Sequence, residues 1–170
     1  MKPRIKREII AALLKRGQGE LANRAAVVIG GGIDQRGFEY AMKKASQELA
    51  AELRSILSMK IEKSKLSYDH DEDSFGAQWQ ARAEYVDKDT GIAHIVDFEG
   101  QIWLNTFEEP LSIGWEVGID VTRGVGGNAS GEEVFKGGSP QALTKLIADS
   151  VVRSIEATWD RDIFDDLPRD

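Results

Sequence analysis

Between Ser74 and Thr122 apolar and polar residues alternate almost without a break, and this feature constrains the fold more than any other. Phe75, Ala77, Trp79, Ala81, Ala83 and Tyr85 alternate with Gly76, Gln78, Gln80, Arg82 and Glu84. Ile113, Trp115, Val117, Ile119 and Val121 alternate in the same way with Ser112, Gly114, Glu116, Gly118 and Asp120. Successive side chains of a strand point to opposite faces, so a period of two over this length specifies strands with one buried and one wet face. The pattern places strands at about 75–87, 92–105 and 111–122, with a turn at Asp87–Gly91 and a break at Glu108-Glu109-Pro110. An Asp-rich turn closing on glycine suits a hairpin whose glycine is left-handed.

Helical periodicity flanks this ribbon. Phe38, Ala41, Met42, Ala45, Leu49, Leu53, Ile56 and Leu57 recur three and four apart, which predicts a helix from about Gly37 to Met59. Ser139-Pro140 is a helix start, and Leu143, Leu146, Ile147, Val151, Ile155 and Trp159 carry that helix to about Trp159. Ile61, Leu66 and Tyr68 among lysines predict an edge strand over 60–68, followed by a polar loop at Asp69–Ser74. Gly124–Gly131 reads as a glycine-rich loop, with one further short strand at Glu132–Lys136. Val27-Val28-Ile29 suggests a short strand ending in Gly30-Gly31-Gly32, with Glu20–Ala26 as its lead-in, while Phe164 and Leu167 are expected to pack back onto the body.

The predicted fold class is α+β: a mostly antiparallel meander sheet of four to six strands packed by two long helices, plus a short basic N-terminal helix. Residues 1–19 form that helix or an arm, with Ile5, Ile9, Ala12 and Leu13 on one side, and residues 20–170 form a single α+β domain. At 170 residues a compact chain buries about 70% of its unfolded surface, so neither disulfide nor metal is required for stability.

The absence of cysteine removes thiolate nucleophiles, zinc–cysteine sites, iron–sulfur clusters and a lipid-anchoring cysteine. No apolar run reaches the roughly 18 to 20 residues that cross a bilayer. The apolar stretch Ile9–Leu14 is too short for a signal peptide and is closed by Lys15 and Arg16. These features point to a cytoplasmic protein or a component of an assembled particle, with an exported form whose leader has been removed as the alternative.

Charge is distributed unevenly. Residues 1–16 hold six basic side chains, Lys2, Arg4, Lys6, Arg7, Lys15 and Arg16, against the single acid Glu8. The remainder holds 16 basic and 28 acidic side chains, and the far end is acidic through Asp162, Asp165 and Asp166. An acidic body disfavours nucleic acid as a partner, because phosphate neutralisation requires a positive surface.

Four patterns resemble chemical sites. Gly30-Gly31-Gly32 after a β-branched run suggests a phosphate-cradling turn, but Gln35 stands where a dinucleotide fingerprint needs glycine. Asp69, Asp71 and Asp73 have the spacing of the first three calcium-loop ligands, yet Ser74 replaces the required glycine and Gln80 the bidentate glutamate. A solvated loop is the better reading of that segment. His94 shares its strand face with Ile92, Val96 and Phe98, whereas Asp97 and Glu99 point the other way, so histidine and carboxylates are not paired. Glu84, Asp97, Glu99, Glu116 and Asp120 lie on neighbouring strands and would be the members of a carboxylate-based hydrolase.

No polar set converges, so no catalytic residue, cofactor or metal ligand is assigned. The leading expectation is a non-catalytic structural or assembly subunit acting through protein–protein contacts as a homo-oligomer, as in virion connectors or envelope complexes. Its partners would be other copies of itself or other proteins of the assembly. The candidate interaction residues are Lys2, Arg4, Lys6, Arg7, Lys15 and Arg16 at the basic end, Asp162, Asp165 and Asp166 at the acidic end, and Trp103. Trp103 lies between the inward residues Ile102 and Leu104, which turns its indole out of the buried phase. A small-ligand or nucleotide-binding domain using Gly30–Gly32 is the alternative, and the hydrolase is the third.

Overall fold

A computed structural model describes residues 8–9, 11–13, 15–18, 33–71, 73–106, 108, 110–122 and 126–162. The predicted strand at Val27–Ile29, the turn at Gly30–Gly32, the lead-in Glu20–Ala26 and the packing of Phe164 and Leu167 lie outside the described residues. Helix α1 spans Gln35–Leu57, strands β1 to β5 span Met59–His70, Ser74–Val86, Ala93–Asn105, Leu111–Val121 and Gly127–Phe135, and helix α2 spans Pro140–Asp162. The strands pair antiparallel in sequence order. The class is α+β, and the meander is the one the alternation demanded.

Both helices cover the same side of the sheet. α1 lies over β1 and β2, α2 over β5 and β4, and the two helices pack against each other. Phe38, Met42, Leu49 and Leu53 of α1 and Leu143, Ile147, Val151 and Ile155 of α2 are fully buried against Trp79, Phe98, Ile102, Leu104, Ile113 and Val117 of the sheet. Ile56, part of the predicted apolar stripe, is exposed, and at this end of α1 Leu53 and Leu57 make the contact with the core.

Local chemistry sets the helix ends. Asp34 sits in extended backbone and its carboxylate accepts the Gly37 N–H at 2.7 Å, starting α1 two residues before the predicted Gly37. Ser58 closes α1 in the left-handed region at φ 55°, and its N–H bonds to the Leu53 carbonyl. The Ser139 hydroxyl accepts the Ala142 N–H at 3.2 Å, with Pro140 as the first residue of α2. Asp34→Ala leaves an amide at the head of α1 without its acceptor and should destabilise the fold by about 1 kcal/mol. Urea unfolding measures this, and Asp34→Asn should retain most of the stability.

The structure moves two predicted boundaries, each for a packing reason. The Asp69–Ser74 loop shrinks to a tight turn, because β1 continues to His70 and β2 begins at Ser74. The Asp71 N–H bonds to the Ser74 carbonyl at 3.0 Å, and His70 leaves solvent to pack among Phe38, Tyr68 and Phe75. The glycine-rich stretch expected as a loop is strand from Gly127 onward, in nine-residue register with β4. Gly131 is needed there for space: a Cβ on it would lie 2.4 Å from Cζ2 of the Trp115 indole. The remaining turns follow the sequence. Asp87 Oδ1 accepts the N–H groups of Asp89 at 2.8 Å and Thr90 at 3.3 Å, and Gly91 is left-handed at φ 69°.

Beside that new turn, His70 Nε2 lies 2.9 Å from Glu39 Oε1, and the Tyr68 hydroxyl donates to the Glu39 carbonyl at 3.0 Å. Hydrogen bonds from Gln35 and then His70 hold the Glu39 carboxyl below its ordinary value of 4.5. A carboxyl lowered in the folded state contributes stability above the unfolded value, and that contribution is lost as pH falls through the folded value. Wild type should therefore exceed Glu39→Gln in urea midpoint at neutral pH, and the gap should close as pH drops below about 4.5.

Candidate interaction surface

The sheet face opposite the helices is covered by no element among the described residues. Strand alternation puts the polar half of every strand there. The register aligns them in rows across the sheet: Asp69, Gly76, Trp103, Gly114 and Glu132; then Ser67, Gln78, Gln101, Glu116 and Ser130; then Lys65, Gln80, Glu99, Gly118 and Asn128; then Lys63, Arg82, Asp97 and Asp120.

Three side-chain pairs organise the middle of the face. Arg82 donates two parallel hydrogen bonds to Asp97, Nε to Oδ1 at 2.7 Å and Nη2 to Oδ2 at 3.0 Å. This fork holds the Asp97 carboxyl below the usual aspartate range and the Arg82 guanidinium above its own. Gln80 Nε2 donates to Glu99 at 3.1 Å, and Asn128 Nδ2 donates to Glu116 at 3.1 Å. Amide donors orient those two carboxylates without neutralising them. At the β4–β5 end, Asn105 Nδ2 donates to Ser112 Oγ at 2.9 Å, and the buried Ser112 hydroxyl is shared between Glu108 Oε2 at 2.5 Å and Glu132 Oε1 at 2.7 Å.

The cations of the face are confined to β1 and β2. Lys63 and Lys65 stand on edge strand β1 beside Asp69, and Arg82, paired to Asp97, stands on β2 with Glu84, whereas β3 to β5 carry Glu99, Glu116, Asp120 and Glu132 and no lysine or arginine. Among the described residues no lysine or arginine pairs with those four carboxylates. The two edges also differ. β1 carries lysines and a bulge between Ile61 and Lys63, both of which discourage strand addition, while β5 is in unbroken register with β4.

Trp103 lies on this face, half-buried, as its phase predicted. Its indole rests on the Gly114 backbone of the next strand, where a Cβ would meet Cε2 and Cζ2 at 2.4 Å. A hollow of about 300 Å³ beside the ring is lined by Asp69, Asp71, Gly76, Gln78, Gln101 and Trp103. A second, of about 380 Å³, continues over β3 and β4 between Gln78, Glu99, Gln101, Glu116 and Asn128. The two share Gln78 and Gln101 and form one polar trough.

The other interaction residues fall elsewhere. Lys15 and Arg16 are exposed near Gly17. Asp162 is the last residue of α2. Lys2, Arg4, Lys6, Arg7, Asp165 and Asp166 lie outside the described residues. His94 is 8% exposed on the helix side, with Nδ1 3.4 Å from the Thr122 carbonyl, so the sheet separates it from Asp97 and Glu99. Among the described residues no group of three or more His, Asp or Glu side chains is placed to hold a metal ion, and no helix is long and apolar enough to cross a membrane. Sequence reasoning missed the Ser112 network and the Arg82–Asp97 fork, because each depends on cross-strand register. The chain matches no protein-family model, no curated protein and no solved structure.

Proposed function

We propose that this protein is a non-catalytic assembly subunit that self-associates, and that the open sheet face is its contact surface. The observation that carries this reading is the five-stranded polar face itself. It is wide enough for a standard protein–protein interface of roughly 800 Å² per partner. It also presents an aromatic anchor, Trp103, amid hydrogen-bonding side chains. The same carboxylates could be read as a hydrolase site, but Asp97 is already engaged by Arg82, and Glu99 and Glu116 are each held by an amide donor of their own, Gln80 and Asn128.

Because the chain has no cysteine, single-cysteine variants report on one position each. Gln101→Cys on the open face should react with a maleimide more slowly as protein concentration rises. Lys43→Cys, on the exposed side of α1, should react at a constant rate. Equal and concentration-independent rates at both positions would contradict the proposal.

A further inference from the structure

We infer that the occupant of the acidic half of the open face is the basic segment 1–7 of a second copy of this chain. The inference rests on the assembly reading above and names the two surfaces that meet. Three observations carry it.

The first is charge. Glu99, Glu116, Asp120 and Glu132 have no lysine or arginine partner among the described residues, and their strands β3 to β5 carry no cation, whereas Lys63 and Lys65 stand on β1. The chain's own matching cations are concentrated in one place: Lys2, Arg4, Lys6 and Arg7, with no acid before Glu8. Attraction to the cation-free strands β3 to β5 favours that side for such a segment.

The second is spacing. Lys2, Arg4 and Lys6 recur every second residue, so an extended segment projects all three to one side about 6.6–6.8 Å apart. That is the repeat of Asp97 and Glu99 along β3, and Glu116 and Asp120 on β4 stand two such repeats apart.

The third is shape. Gly118 leaves the β4 row without a side chain between Glu116 and Asp120, and a Cβ there would meet nothing closer than the Glu99 carbonyl at 3.6 Å. The gap lies under the hollow of about 380 Å³ between Glu99 and Glu116, which adjoins the hollow beside Trp103 where an arginine can stack. An arm from one copy seated on the face of the next is a head-to-tail contact, which builds rings or filaments and not a closed two-fold dimer.

The test uses two full-length charge-reversed proteins, both altered at exposed or terminal positions. The arm variant carries Lys2→Glu, Arg4→Glu and Lys6→Glu; the face variant carries Glu99→Lys, Glu116→Lys and Asp120→Lys. Circular dichroism checks that each retains the fold. Each alone should show an apparent dissociation constant raised by about tenfold or more, read by light scattering over a dilution series. An equimolar mixture should recover the wild-type mass, because an acidic arm then meets a basic face and a basic arm an acidic face. Wild-type multimers that survive both sets of reversals would overturn this assignment and leave the assembly reading standing. So would loss of multimers on reversing Asp165 and Asp166 while the face variant still assembles, since the arm would then dock on the acidic tail. A wild-type monomer at all concentrations overturns both readings.

Discussion

Trp79→Ala is expected to cost about 3–5 kcal/mol, the largest loss available from one side chain in this fold. Trp79 is 0% exposed on the helix-side face of β2. Its ring stacks on Phe98 with centroids 5.6 Å apart, and its Nε1 donates to Ser64 Oγ on β1 at 3.2 Å. It therefore ties β1, β2 and β3 into the layer that α1 and α2 cover. Truncation removes the transfer free energy of an indole and leaves a cavity between two close-packed layers that cannot collapse independently. In a domain of this size each kcal/mol moves the midpoint by roughly 2–4 °C, so the melting temperature should fall by about 6–20 °C. Trp103→Ala is the internal comparison: its half-buried ring sits on the open face and leaves no closed cavity, so the loss should be smaller. Equal losses for the two tryptophans would mean that the open face is covered by something comparable to the helices.

The second large effect is Gly76→Ala, expected at about 1–3 kcal/mol although it adds a single methyl group. A Cβ at Gly76 would lie 2.3 Å from the Asp69 carbonyl oxygen directly across the β1–β2 pair. The clashing atom is main chain, so no rotamer change relieves it and β1 has to move. Hydrogen exchange should localise the damage to the Asp69–Gly76 end of the hairpin, with His70 displaced from between Phe38 and Phe75. Gly118→Ala, where the nearest atom is 3.6 Å away, should fold almost unchanged.

These contrasts show what the residues could and could not announce. The alternation from Phe75 to Tyr85 and from Ile113 to Val121 dictated strands, their faces and the burial of Trp79 and Trp115, because a period of two leaves no freedom about which side a residue takes. The stripe from Phe38 to Leu53 dictated α1 for the same reason at a different period. Glycine was ambiguous. Gly127 and Gly131 read as loop because glycine marks turns, yet in the structure Gly131 makes room for the Trp115 indole and lengthens β5. Only the partner across the sheet distinguishes the two roles, and that partner is set by register. His70 was assigned to solvent among its acidic neighbours for an equally local reason: Phe38, 32 positions away, is what encloses it.

The interaction surface was legible in parts. Trp103 announced itself by standing out of phase. The uncovered polar face followed from two helices and one sheet, since two amphipathic helices cover one side of five strands and no more. The confinement of that face's cations to β1 and β2 was not visible, because it depends on β1 to β5 being adjacent in sequence order.

The most direct test of the assembly account is the molar mass of the full chain in solution, measured by light scattering across a dilution series at low salt. A mass that is a multiple of the 18.8 kDa chain and falls as salt is raised is the predicted result. A constant monomer mass, independent of concentration and salt, would contradict it.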